Sequence, residues 1–147
     1  MANEVKYTYA SAVTLEANGA SAASNAFVAA DDTSLAVANA SDYPLADLVL
    51  TCDFGAAVGA NYTVNLYRQD FDIVGGTEDA PAPATTYKYL FVGAFVIPSG
   101  QSASASYPLP NVPISQTCKF SIENGTNQNL SAGWVLKARP KTYAPAA

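Results

Sequence analysis

The sequence predicts an all-β protein, an antiparallel β-sandwich of jelly-roll type with about eight or nine short strands and extended N- and C-terminal arms. Three observations carry that expectation. Short runs alternate apolar and polar residues, Gly, Pro, Asn and Asp break those runs at regular intervals, and no window carries an apolar stripe at helical spacing. Alternation with a period of two is what a strand needs when one face meets a core and the other meets solvent. The 147 residues make one domain. Surface scaling gives roughly 7,000 Å² exposed when folded against roughly 22,000 Å² unfolded, so a core can stand without metal or disulfide help.

Residues 10–41 are rich in Ala, Ser and Asn, and Asn18-Gly19 and Asp31-Asp32 interrupt every helical window. Short strands are expected at 25–29 and 34–38. The pattern sharpens in 47–54, where Leu48, Leu50, Cys52 and Phe54 point one way while Asp47, Thr51 and Asp53 point the other. Val49 breaks the rule. In 61–69, Tyr62, Val64 and Leu66 alternate with Thr63, Asn65, Tyr67 and Gln69. Segment 72–86 holds Gly75-Gly76, Pro81 and Pro83 and reads as a long exposed loop. A strand over 87–97 is expected to place Tyr89, Phe91, Phe95 and Ile97 on one face and Leu90, Val92 and Val96 on the other. Such a two-faced strand suits a position between layers or under another subunit.

Pro98-Ser99-Gly100 then makes a turn, 102–109 a polar strand, and Pro108, Pro110 and Pro113 a stiff connection. In 118–123, Cys118, Phe120 and Ile122 face inward and Lys119, Ser121 and Glu123 outward. Asn124-Gly125 is the strongest local turn signal. The last strand, 134–138, buries Trp134 and Leu136 and exposes Lys137 and Arg139. The expected organisation is an N-terminal arm or first strand at 1–12, a sandwich domain at 13–139 and a tail at 140–147.

Composition argues against chemistry. There is no histidine, charged residues are 13% of the chain, and net charge is −5. Without His, a nucleophile would need a Ser–Lys pair, and Lys6, Lys88, Lys119, Lys137 and Lys141 fall at outward strand positions or in tails. Asp53, Asp70, Asp72, Glu78 and Asp79 offer carboxylates, yet four of them sit around a Pro/Gly loop ill suited to fixing a catalytic geometry. The same loop lacks the Asp spacing of a calcium site. No enzyme activity, cofactor or metal is therefore expected. No Lys/Arg cluster points to nucleic acid, and no apolar run approaches the 18 residues of a membrane span. Residues 1–9 lack the basic-then-apolar layout of a secretory signal, so synthesis in the cytoplasm is expected.

Cys52 and Cys118 fall at inward positions and read as two small buried hydrophobes; a bond between them would contribute roughly 4 kcal/mol. Sequons at Asn39, Asn61, Asn124 and Asn129 carry little weight in so Ser/Thr-rich a chain. Tyr7, Tyr9, Tyr62, Tyr67, Tyr87 and Tyr89 suit core or rim roles, a protein interface, or a sugar-stacking surface.

The segments Met1-Ala2-Asn3-Glu4-Val5-Lys6-Tyr7-Thr8-Tyr9, 89–97 with Pro98-Ser99-Gly100-Gln101, and 134–139 with its Pro140 tail carry a resemblance. Together they resemble the head-decoration or cement proteins of tailed bacteriophages, particularly the jelly-roll type that stabilises an HK97-like capsid. That resemblance implies a virion protein on the outer capsid surface. Its partners would be the major capsid protein and itself, as a homodimer or homotrimer, with neither nucleic acid nor membrane involved. The contact candidates it implies are Val5, Tyr7, Tyr9, Tyr87, Tyr89, Phe91, Arg139 and Tyr143, together with the loop 72–86. An exposed arm suits that role because it can add a strand to a neighbour's edge, and many such contacts act multivalently. Leu35-Ala36-Val37-Ala38-Asn39, Leu48-Val49-Leu50 and 97–102 also resemble immunoglobulin-like adhesion domains of bacterial surfaces or phage tails, although Trp134 lies after both cysteines. A carbohydrate-binding jelly roll is the third reading.

Overall fold

A computed structural model describes residues 5–36, 43–71, 81–114 and 117–145. Most of the loop 72–86, with Asp72, Glu78 and Asp79, lies outside the described residues, as do Asn39 and the end of the strand expected at 34–38. The described residues form nine strands and one 3-10 turn, Lys88–Leu90. The strands are β1 Val5–Tyr9, β2 Val13–Gly19, β3 Phe27–Ala36, β4 Leu45–Cys52, β5 Tyr62–Phe71, β6 Phe91–Ile97, β7 Ala105–Pro113, β8 Thr117–Asn124 and β9 Trp134–Pro145.

All pairings are antiparallel. One sheet runs β2-β9-β4-β7, with β1 extending the β2 edge of β9; the other runs β3-β8-β5-β6. The pairs nest: β5 with β6, β4 with β7, β3 with β8 and β2 with β9. A ribbon of four nested pairs rolled until β4 meets β9 and β5 meets β8 is the jelly-roll arrangement. Between the sheets lies one core of fully buried side chains, including Trp134, Phe95, Phe120, Leu48, Leu66 and Ile122.

The alternation read in 47–54 holds: Leu48, Leu50, Cys52 and Phe54 are buried, and Val49 is exposed. Elsewhere the structure corrects the pattern. β2 was not expected; Asn18-Gly19 ends it and does not forbid it. β3 runs through Asp31-Asp32 because these residues serve the neighbouring strand. Asp32 Oδ2 accepts the Ala17 N–H at 2.6 Å, and the Asp31 N–H donates to Glu16 Oε2 at 3.3 Å. β7 continues through its prolines to Pro113, which an edge strand tolerates because one row of N–H groups faces no partner.

The expected one-faced set Tyr89, Phe91, Phe95 and Ile97 does not form. Tyr89 belongs to the 3-10 turn, and Leu66 pairs with Gly93 while Tyr67 pairs with Phe91, so Val92 is an extra residue. That bulge reverses the parity. Phe95 and Ile97 enter the core, whereas Phe91 turns outward and is 51% exposed.

The C-terminal segment expected as a tail is strand. β9 passes Ala138 and continues to Pro145, where β1 pairs with it: Tyr7 opposite Tyr143 and Tyr9 opposite Lys141. Pro140 is tolerated inside it for a positional reason. Its carbonyl accepts the Ala10 N–H at 2.9 Å, at the joint between β1 and β2. A residue in an antiparallel pair turns N–H and C=O to the same neighbour. The missing N–H therefore falls at that irregular joint and removes no bond to β4.

Candidate interaction surface

Four of the eight residues expected to make contacts meet on one face. In β9, Lys137, Arg139, Lys141 and Tyr143 occupy alternate positions and so project from the outer side of the sheet, away from buried Leu136, Ala138 and Pro140. β1 adds Tyr7 and Tyr9 to the same side. The Tyr7 and Tyr143 rings lie 4.8 Å apart at 44°, and Tyr7 and Tyr9 are 6.3 Å apart. Lys141 Nζ sits 4.7 Å from the Tyr7 ring, and the Arg139 guanidinium carbon 4.8 Å from the Tyr9 ring. The rings stay exposed, as does Arg139.

Lys141 differs from its neighbours. It is only 4% exposed, and its Nζ lies 2.7 Å from Asp47 Oδ1. Asp47 also accepts the Asn111 N–H at 3.0 Å. Burial works against both charges, but the pairing outweighs it: Asp47 is held below its ordinary value and Lys141 above. This pair anchors the chain's C-terminal strand to β4.

The rest of the expected contact set lies elsewhere. Phe91 is exposed on the other sheet, Tyr87 is exposed just before the 3-10 turn that contains Tyr89, and Val5 begins β1. Around them is an arrangement the sequence reading missed. Tyr67, Ser121 and Glu123 were expected to face solvent; they do lie on the outer face of β5 and β8, yet they are buried. Tyr67 packs between Phe27 at 5.2 Å and Phe91 at 5.7 Å and donates its hydroxyl to Glu123 Oε2 at 2.8 Å. Asn65 Nδ2 donates to the same oxygen at 3.1 Å, and Lys88 Nζ reaches Glu123 Oε1 at 2.5 Å. Burial raises the Tyr67 phenol, reinforced by its bond to the carboxylate. Lys88 thereby fastens the turn that precedes β6 across the second sheet. The arrangement is a latch, with every polar group satisfied inside the fold.

Glu16, Asp31 and Asp32 bring carboxylate oxygens within 4.8 Å of one another, a grouping the sequence did not suggest. The Glu16 oxygens already accept the N–H groups of Asn18 and Asp31, and Asp32 that of Ala17, bonds that close the gap between β2 and β3. Cys52 and Cys118 are both buried and neither is in a disulfide, and burial pushes the Cys52 thiol up to about 12. Of the sequons, Asn124 is fully buried with its amide engaged by Ala22, Thr126 and Gln128. That leaves it no room for a glycan in the folded chain.

No family model, curated protein or solved structure matches this chain. The surface must be read from its own chemistry. It offers stacked phenol rings, two exposed cations and an edge strand, β1, that among the described residues pairs only with β9. This combination is suited to holding another macromolecule.

Proposed function

We propose that this chain is a structural virion protein, a jelly-roll cement module. It binds the outer surface of a tailed-phage capsid and bridges neighbouring major capsid protein subunits, itself assembling as a dimer or trimer. The observation that supports this reading is the meeting of Tyr7, Tyr9, Arg139 and Tyr143 on one exposed face beside the open edge of β1. Aromatic residues and Arg are the side chains that concentrate in protein interfaces. A sandwich whose first and last described strands pair beside one edge can grip a neighbour without doing chemistry.

The nested strand order favours this reading over an immunoglobulin-like adhesion domain, whose sheets run A-B-E-D and C-F-G. Sedimentation of the protein with expanded capsids of the virus that encodes it is the test. Saturable binding at symmetric sites, lost in the double variant Tyr7→Ala/Tyr143→Ala, is the expected result. Failure to sediment with capsids, combined with specific binding on a glycan array, overturns it in favour of a carbohydrate-binding role.

A further inference from the structure

The chain is acidic overall, with 12 Asp and Glu against 7 Lys and Arg, yet four of the seven cations fall on β1 and the β9 strand beside it: Lys6, Lys137, Arg139 and Lys141. Read along the sequence, these are isolated charges. Strand alternation sets Lys137, Arg139 and Lys141 in one column on the outer face. Lys141 is neutralised by Asp47. Among the described residues, neither Lys137 nor Arg139 has a carboxylate partner, and both are exposed.

Arg139 is also fixed in place. Its guanidinium stacks on Tyr9, and its Nε donates to the Ala10 carbonyl at 3.3 Å, which leaves the terminal N–H groups turned to solvent. A guanidinium immobilised in this way has already lost much of the rotamer freedom that binding would cost. Its planar donor fork matches a carboxylate in bidentate geometry. Tyr7 and Tyr143 supply apolar surface on one flank, with their hydroxyls 3.5 Å apart at the rim.

From this geometry we infer that the outer face of β1 and β9 binds an acidic extended segment of a partner protein, with Arg139 and Lys137 reading its carboxylates. The inference rests on the proposed structural role and names the chemistry of the partner that role requires. Charge complementarity selects the occupant: a local carboxylate segment meets unpaired cations, while a long polyanion such as nucleic acid would be repelled by the net charge of −5. A second copy of this chain is less favoured for the same reason, because each copy presents the same cations.

The test uses the full chain and a fluorescein-labelled peptide, Ser-Glu-Thr-Glu-Thr-Glu-Ser, with its Gln counterpart and single-stranded DNA as comparisons. Fluorescence anisotropy is expected to show binding of the Glu peptide, weakening with added salt, and none of the Gln peptide. Lys137→Gln/Arg139→Gln should weaken it roughly tenfold, about 0.7 kcal/mol for each exposed charge. Lys119→Gln, on the opposite sheet, should leave it unchanged. Absent Glu-peptide binding, or binding indifferent to the double variant, overturns the inference. So does DNA binding that equals or exceeds the peptide's through the same residues, since the site would then be a general polyanion patch. Capsid sedimentation with the unsubstituted chain, set beside its peptide binding, separates the two proposals. Peptide binding without capsid binding removes the cement role and leaves the acidic-segment site standing; capsid binding without peptide binding does the reverse.

Discussion

Gly19 and Trp134 are cross-strand partners on β2 and β9, and the indole occupies the space where a side chain at position 19 would stand. A Cβ built on Gly19 collides with Trp134 Cε2, Cδ2 and Nε1. The indole is fully buried, and its N–H donates to the Ala20 carbonyl at 2.8 Å. Gly19→Ala should therefore destabilise by about 3 kcal/mol through overpacking at a rigid site. Urea unfolding followed by the fluorescence of this single tryptophan measures it; a loss below 0.5 kcal/mol, on the order of a surface substitution, would show that the indole can move aside.

Asn124 closes β8 and organises the loop to β9. Its amide donates to the Ala22 and Gln128 carbonyls at 2.9 and 2.7 Å, and its oxygen accepts from the Thr126 N–H and hydroxyl at 3.2 and 2.7 Å. Asn124→Ala strands several buried polar groups and should cost about 3 kcal/mol. Asn124→Asp keeps the acceptor but not the donors, so an intermediate loss in the same unfolding experiment is expected.

Stability should form a broad plateau with an acid arm and an alkaline arm. Burial alone would raise Glu123, but Lys88, Asn65 and Tyr67 outweigh it and hold the carboxyl below its ordinary 4.5. A depressed carboxylate contributes fully above 4.5 and loses that contribution as pH falls through its lower folded value. Asp47 adds a second such term below 3.8. Lys141 works in the opposite sense: held above 10.5, it contributes fully below that value and loses its contribution as pH rises through the higher folded one. Melting temperature against pH is the measurement. Glu123→Gln should flatten the acid arm, and an unchanged arm assigns acid unfolding to other carboxylates.

The docking of β1 depends on its tyrosines more than on core contacts. Tyr7→Ala removes a ring packed against Tyr143 and lying over Lys141. Residues 5–9 should then exchange amide hydrogens faster while strands β4, β5 and β8 keep their protection. Global loss of protection would mean that β1 belongs to the cooperative core.

Neither cysteine should react in the native state. Cys52 and Cys118 are buried and held as thiols outside any disulfide, and the Cys52 thiol is shifted far toward the protonated form. Ellman's reagent should detect no thiol without denaturant and both thiols in guanidinium. Native labelling at a rate independent of stability would contradict their placement in the core.

Where one face meets the core and the other meets solvent, the strands were legible. The inward residues of β4 and β8, from Leu48 to Cys52 and from Cys118 to Ile122, stand where alternation placed them. Legibility failed where a second layer covers the outward face. Tyr67, Ser121 and Glu123 keep their parity but lose their solvent, because Phe27, Phe91 and the Lys88 turn lie over them. It failed again at the Val92 bulge and at Pro140, since an extra residue or a missing N–H is read locally as a break while tertiary pairing absorbs it. The candidate face suffered most from Pro140. With the strand expected to stop at Ala138, Lys141 and Tyr143 were placed in a tail, and Tyr7 and Tyr9 in a free arm.

Strand content and the inner face of the sandwich follow from the sequence by itself, because a period of two in hydropathy is a local property that burial of apolar area enforces residue by residue. The company that each strand keeps was decided only by the tertiary structure. The nested pairing brings Val5–Tyr9 against the far end of the chain, and it turns scattered tyrosines and cations into one surface. Contacts across more than a hundred residues arise from how the ribbon rolls to close a single core, and no stretch of local sequence encodes that choice alone.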